Sequence, residues 1–205
     1  LINFPLVEKE DKLPYQEVSA LYKIDYIHNE KNVQDFFKQR LLPHKLSQNG
    51  PCLAVGDING DGREDFMVGS SSSFSPIIFI QNQSSFFFSK ALFTKDKDKE
   101  FEVESMTLFD ADNDGDLDLY LVSGGNQFDA GSQFYQDRLM LNDGFGNFKY
   151  GKNRIPNLGA NGCVVRPVDF DLDGDLDLFV GGNNKPGAYP LADSSYFLIN
   201  NNGFF

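Results

Sequence analysis

The chain has 205 residues, 40% of them hydrophobic, a net charge of −12 and two cysteines. That is long enough for one sizeable core or a short array of repeats, and two cysteines do not make a disulfide framework. No apolar run reaches the roughly 18 residues that a transmembrane helix needs, and no basic stripe exists to neutralise nucleic-acid phosphates.

Residues 1–50 differ in composition from residues 51–205. They hold both histidines and contain no glycine before Gly50. The start, Leu1-Ile2-Asn3-Phe4, has no methionine and no basic segment leading into an apolar one, as expected of a processed chain or an excised fragment. Leu21–Ile27 alternates apolar and polar residues as a strand does. Asn32–Leu42 reads as a short helix stopped by Pro43. This leader is expected to pack on the first unit of the array or to complete a neighbouring one. His28 and His44 read as capped or solvent-facing side chains rather than ligands or bases.

From Pro51 the chain breaks into short strands divided by turn residues, the pattern of an all-β protein. The first unit, 51–104, predicts strands at Leu53–Gly56, Phe66–Ser70, Ile77–Gln81 and Phe86–Leu92. The second, 105–162, predicts Ser105–Phe109, Leu119–Ser123, Arg138–Asn142 and Asn147–Tyr150. The third, 163–205, predicts Val164–Asp169, Leu178–Gly181 and Tyr196–Asn200 and is one strand short. Asn142-Asp143-Gly144 and Asn200-Asn201-Asn202-Gly203 are hairpin-turn signals between third and fourth strands. Four antiparallel strands per unit of this length describe β-propeller blades, here about three, the last incomplete. Cys52 and Cys163 hold similar places in non-neighbouring units and read as small buried residues rather than a bridge.

An acidic nonapeptide joins the first strand of each unit to the second: Asp57–Asp65, Asp110–Asp118 and Asp169–Asp177. First positions lie 53 and 59 residues apart, and each loop runs into an apolar segment, as in repeated supersecondary units. Carboxylates or amides at positions one, three, five and nine, with glycine at six, suit a chain curling round one hard cation. Without a cation the crowded charges repel one another. The three loops carry −3, −5 and −5, so the rest of the chain sums to +1. The acidity belongs to the loops and says little about partners. An EF-hand is excluded, because its twelfth position is acidic and here it is Val68, Leu121 and Val180, within strand-forming segments. A two-carboxylate glycosidase is also set aside, since carboxylates committed to a cation are poor acids. No nucleophile–base constellation is visible, so no enzyme activity is expected.

Ala54–Gly69, with Gly-Asp57-Ile-Asn59-Gly-Asp61-Gly-Arg63-Glu-Asp65 at its centre, closely resembles an FG-GAP/VCBS repeat, the blade unit of integrin α-subunit propellers. The other two units, and Tyr135–Gly144, resemble the bacterial VCBS proteins grouped with cartilage-acidic-protein-like (ASPIC/UnbV) sequences. The resemblance spans about residues 50–205. It implies a seven-bladed, calcium-binding propeller, extracellular, surface-exposed or periplasmic, with no shared catalytic centre. Three blades imply a fragment or an open arc. The family's Gly-Ala-Pro after the second strand is replaced by Gly69-Ser70-Ser71, Gly124-Gly125-Asn126 and Gly181-Gly182-Asn183.

By that resemblance three Ca²⁺ ions are expected. The ligands of the first are Asp57, Asn59, Asp61, the Arg63 carbonyl and Asp65. Those of the second are Asp110, Asp112, Asp114, the Asp116 carbonyl and Asp118, and of the third Asp169, Asp171, Asp173, the Asp175 carbonyl and Asp177. The first site, one carboxylate poorer, should bind most weakly. On the opposite face, long loops carry Phe128, Tyr135 and Tyr189, which either meet a ligand or cover the joints between blades. Two functions suit such a chain: a recognition or adhesion module for protein or glycan, or the scaffold of a larger secreted enzyme, for example a polysaccharide-processing one. Expected partners are such a ligand and further blades or a second copy, with neither nucleic acid nor a membrane span.

Overall fold

The computed structural model describes residues 15–205, so the chain start, Leu1-Ile2-Asn3-Phe4, lies outside the described residues. Three antiparallel sheets succeed one another along the chain. The first is β1 (Leu53–Gly56), β2 (Asp65–Val68), β3 (Ile77–Gln81) and β4 (Phe87–Ala91). The second is β5 (Glu102–Phe109), β6 (Asp118–Gly124), β7 (Arg138–Leu141) and β8 (Lys149–Tyr150). The third has three strands, β9 (Gly162–Val168), β10 (Asp177–Gly182) and β11 (Tyr196–Leu198), in the order β11-β10-β9. Each sheet is an up-and-down propeller blade. The acidic loop closes its first hairpin, between Gly56 and Asp65, Phe109 and Asp118, and Val168 and Asp177.

Blades stack face to face, with β5 packed on both β1 and β9, and form an arc that does not close. The middle blade is therefore covered on two sides. All seven residues of β6 are buried. Leu119 and Leu121 join the core shared with the first blade, beside Met67, Ile78, Phe101 and Met106. Tyr120 and Val122 join the core shared with the third, beside Val165, Leu178 and Leu198. The period of two thus gives each blade joint its own apolar row. In β1, with one face covered, Ala54 is buried while Leu53 and Val55 are exposed.

The leader differs from expectation. Leu21–Ile27 forms no strand: a turn occupies 19–23, and beyond it the chain forms no ladder. Side chains still alternate, with Tyr22, Ile24, Tyr26 and His28 half-buried and their neighbours exposed. The Tyr22 carbonyl accepts from Phe87 N (3.1 Å), one contact with the β4 edge rather than a register. The expected helix shrinks to one turn, α1 (Asp35–Lys38), too short to be stable by itself. Its buried Asp35 holds the chain instead, accepting from Leu46 N (2.7 Å), Ser47 N (3.0 Å) and Ser47 Oγ (2.5 Å). The leader reaches all three blades: Lys31 N donates to Ser71 Oγ, Gln39 Nε2 to Asn126 Oδ1 (2.6 Å), and Tyr189 N to Gln39 Oε1 (2.8 Å).

Both cysteines are free; Cys52 Sγ donates to Val103 O and Cys163 Sγ to Gly181 O. Among the described residues no helix is long and apolar enough to cross a membrane.

Candidate metal centre

The three acidic loops share a backbone path. The sixth-position glycines, Gly62, Gly115 and Gly174, have φ of 82°, 93° and 100°, the left-handed region that L side chains avoid. The fourth positions, Gly60, Asn113 and Leu172, are left-handed too, at 70°, 58° and 63°.

The ninth aspartate is the most buried carboxylate of each loop, and its two oxygens do the same work three times. One accepts from the second residue of its own loop: Ile58 N to Asp65 (3.1 Å), Ala111 N to Asp118 (3.0 Å), Phe170 N to Asp177 (2.8 Å). The other accepts from a residue at or just past the end of the third strand: Gln81 N (2.8 Å), Asn142 N (2.8 Å) and Asn200 N (2.7 Å). Asp65, Asp118 and Asp177 thus clamp loop to blade, whatever else they bind. Burial, partly offset by those two backbone donors, pushes Asp118 up to about 7.

The remaining loop carboxylates divide. Asp110, Asp112 and Asp114 converge, as do Asp169, Asp171 and Asp177, with candidate ligand atoms within 4.8 Å of one another in each group. Five oxygens of these two loops are buried without any hydrogen-bond donor: Oδ1 of Asp110, Asp112 and Asp116 in the second loop, and of Asp169 and Asp175 in the third. The seventh residues, expected to offer carbonyls, therefore also bury a side-chain oxygen. Burial first, then Asp114, Asp112 and Asp110, raises Asp116 to about 6. Acceptors packed together with nothing donating to them are costly and fit a hard cation, which takes oxygen ligands.

The first loop is different. Among the described residues Asp57, Asp61 and Asp65 do not form such a group, and none of their oxygens is orphaned. Asp57 accepts from Asp61 N (3.1 Å) and Gly62 N (2.7 Å). Asn59 Nδ2 donates to Asp61 Oδ2 (3.0 Å), which also takes the Arg63 guanidinium, and Arg63 Nε reaches Gln81 O (3.3 Å). The resemblance asks only a carbonyl of Arg63; its side chain also brings a positive charge into the loop.

A model of the FG-GAP-like repeat matches residues 57–121 and again 110–180. The chain belongs to the FG-GAP-like repeat family. No curated protein matches the chain. Each FG-GAP match runs from one acidic loop through the next, so it takes in the joint between blades as well as the loop.

That joint holds residues that sequence reasoning missed. Asn142 Nδ2 donates to Ile58 O (2.7 Å) in the preceding FG-GAP loop and to Leu117 O (3.1 Å) in its own. Asn200 repeats this on Ala111 O (2.8 Å) and Leu176 O (3.1 Å). The signal was present, an asparagine ending the third strand of two units, but it reads equally as a turn former. Arg154 was also missed. It stacks on Phe204 at 4.2 Å, with Nη1 3.8 Å from Asp112 Oδ2 beside the second loop. On the opposite face Tyr135 is fully buried, its hydroxyl donating to Phe128 O (3.1 Å), so it belongs to the scaffold. His28 lies between Tyr26 Oη (2.9 Å) and Glu30 Oε1 (2.7 Å), and His44 is exposed.

Proposed function

We propose that this chain is a non-catalytic, calcium-binding propeller module that recognises a protein or glycan outside the cell, at its surface or in the periplasm. The observation that carries the metal is the set of five donor-less carboxylate oxygens in the second and third loops. A flexible ring of oxygens suits Ca²⁺ better than Mg²⁺, which demands a tighter octahedron and keeps its waters. In the second loop Asp110, Asp112, Asp114 and Asp116 would hold the ion, and in the third Asp169, Asp171, Asp175 and Asp177. The first loop binds most weakly, because Arg63 already answers part of its charge. Calcium at millimolar levels is an extracellular condition, which supports the setting.

The ion's role in this reading is to brace the blades. At 100 times its dissociation constant, one bound ion stabilises the fold by about 2.7 kcal/mol. The outer faces of the end blades, with Leu53 and Val55 on one and Phe170 and Phe197 on the other, are exposed. Ile58 and Ala111, at the position of Phe170, are buried beneath a following blade, so we read these faces as seats for another blade of the same kind.

Thermal unfolding with calcium and with EDTA tests the metal. Chelation is expected to lower the melting temperature by several degrees, and calorimetric titration to show at least two tight sites. An unchanged melting temperature with no heat of calcium binding would sink the reading.

A further inference from the structure

The strand order puts the β6–β7 loop and the connectors between blades on the face away from the acidic loops. There they enclose a groove of about 560 Å³, within the usual size of small-molecule sites. A second cavity of about 480 Å³ adjoins it, and Arg138 and Tyr150 line both. An extended ligand crossing from one to the other would pass Arg138.

Arg138 is fixed from beneath. Nη1 donates to Ser123 Oγ (3.1 Å) and to Gln136 O (2.9 Å), and the guanidinium lies 3.4 Å over the Phe101 ring. Its neighbour Asp137 does not pair with it: that carboxylate accepts from Tyr120 Oη (2.9 Å) and Ser123 N (2.8 Å). Nε and Nη2 make no hydrogen bond or ion pair with any described residue. Burial lowers the guanidinium to about 10, partly offset by Tyr150, Asp137 and Asp98 nearby, none of which forms a hydrogen bond or ion pair with it. Lys97 and Glu100 on the rim cancel, leaving one oriented fork of donors in excess.

The remaining lining is hydroxyl-seeking. Gln133, Asn153 and Asn157 have side-chain amides that bond to no described residue, and each both donates and accepts. Phe134 and Tyr150 add ring faces for apolar patches. A phosphate-rich chain would need several cations in excess, and here Lys97 is balanced by Glu100 and Lys95 by Asp98, leaving one.

We propose that this groove binds a uronic-acid saccharide, its carboxylate held bidentate by Nε and Nη2 of Arg138 and its hydroxyls by the amides. The proposal rests on the chain being a recognition module and gives that module's binding face a place.

The test is calorimetric titration of the full chain, in calcium and in EDTA, with unsulfated tetrasaccharides of hyaluronan, heparosan and chondroitin. Carboxyl-reduced counterparts and an acetylated tetraglutamate peptide serve as comparisons. At least one acidic saccharide is expected to bind, and its reduced counterpart about tenfold more weakly, the cost of losing a bidentate charged pair. Arg138→Lys keeps the charge and loses the fork, so a similar loss is expected. Because Arg138 also packs on Phe101, Gln133→Ala/Asn157→Ala, on exposed loop positions, provides a second variant and is expected to weaken binding several-fold. Equal binding of acid and reduced saccharide, unchanged affinity in both variants, binding of the peptide alone, or binding of none would overturn the proposal. A calcium-dependent melting shift with no saccharide binding would remove this site and leave the metal reading intact. Saccharide binding without any calcium response would do the reverse.

Discussion

Asn142 tests how the blades are joined. Its side chain makes four hydrogen bonds: Nδ2 to Ile58 O and Leu117 O, and Oδ1 from Asp143 N (2.9 Å) and Gly146 N (3.1 Å). Asn142→Ala removes all four and leaves Ile58 O, beside a buried side chain, without this donor. At about 0.5–1.5 kcal/mol net per hydrogen bond, with orphaned partners at the upper end, the expected cost for the four is about 2–6 kcal/mol. Asn142→Asp should cost more, since it turns a carboxylate oxygen toward two carbonyls. Gln81 supplies the control: its backbone N–H meets Asp65 as that of Asn142 meets Asp118, but its side chain staples no preceding blade, so Gln81→Ala should cost little. The assay is urea unfolding in excess calcium, read by far-ultraviolet circular dichroism. The first blade is also expected to unfold apart from the others once its staple is gone, which broadens the transition or splits it. A cost below about 0.5 kcal/mol with an unchanged slope would refute the stapling argument.

Leu172 is an exposed leucine with φ of 63° where the other loops place Gly60 and Asn113; Leu172→Asn is expected to stabilise by about 1 kcal/mol in denaturant unfolding, and a loss would contradict it. Arg63→Ala removes the guanidinium from Asp61 and should tighten the weakest calcium site several-fold in titration, whereas unchanged or weaker binding there would show the side chain is no competitor. Glu102 is held at about 8 by burial and then by Glu104. A carboxyl raised above its unfolded value near 4.3 contributes fully at low pH, and that contribution is lost as pH rises toward 8, at up to about 1.4 kcal/mol per unit. Glu102→Gln should flatten the fall in stability between about pH 5 and 8; parallel profiles for variant and wild type would refute the assignment.

How far the fold and the loops were legible in the sequence depends on the range over which each feature is encoded. The blade strands were legible because a buried β-row alternates with period two and the turns carry Gly, Asn and Asp. The expected Leu53–Gly56 and Ile77–Gln81 match β1 and β3 end to end. The leader was not, because Leu21–Ile27 alternates as a strand does yet, among the described residues, its one backbone hydrogen bond to a blade strand is from Phe87 N. Alternation reports which side chains turn inward, and a ladder needs a free edge in register as well. The joints were hidden for a related reason: Asn142 and Asn200 act on carbonyls 84 and 89 residues away, and no local pattern encodes a partner at that distance.

The acidic loops show the same limit at closer range. Read as a motif, Asp57–Asp65 and Asp110–Asp118 differ little, and both predict a ring of oxygens. In three dimensions the seventh residue decides between them. In the second loop it is Asp116, which adds an acceptor with no donor; in the first it is Arg63, which meets Asp61 with a positive charge. The third loop, with Asp175, resembles the second. The seventh position, expected to matter through its carbonyl alone, therefore sets the charge a cation meets. Each added carboxylate raises both the repulsion within the loop and its attraction for a divalent cation, so under the proposed calcium binding loops two and three would gain most from the ion. Substituting Asp116→Arg carries that reasoning through. It should make the second loop resemble the first, weakening its calcium binding at least tenfold while raising stability in EDTA, because the same side chain relieves the repulsion that the ion would otherwise relieve. Tighter calcium binding, or lower stability in EDTA, would show that the side chain at position seven lies outside the loop's charge balance.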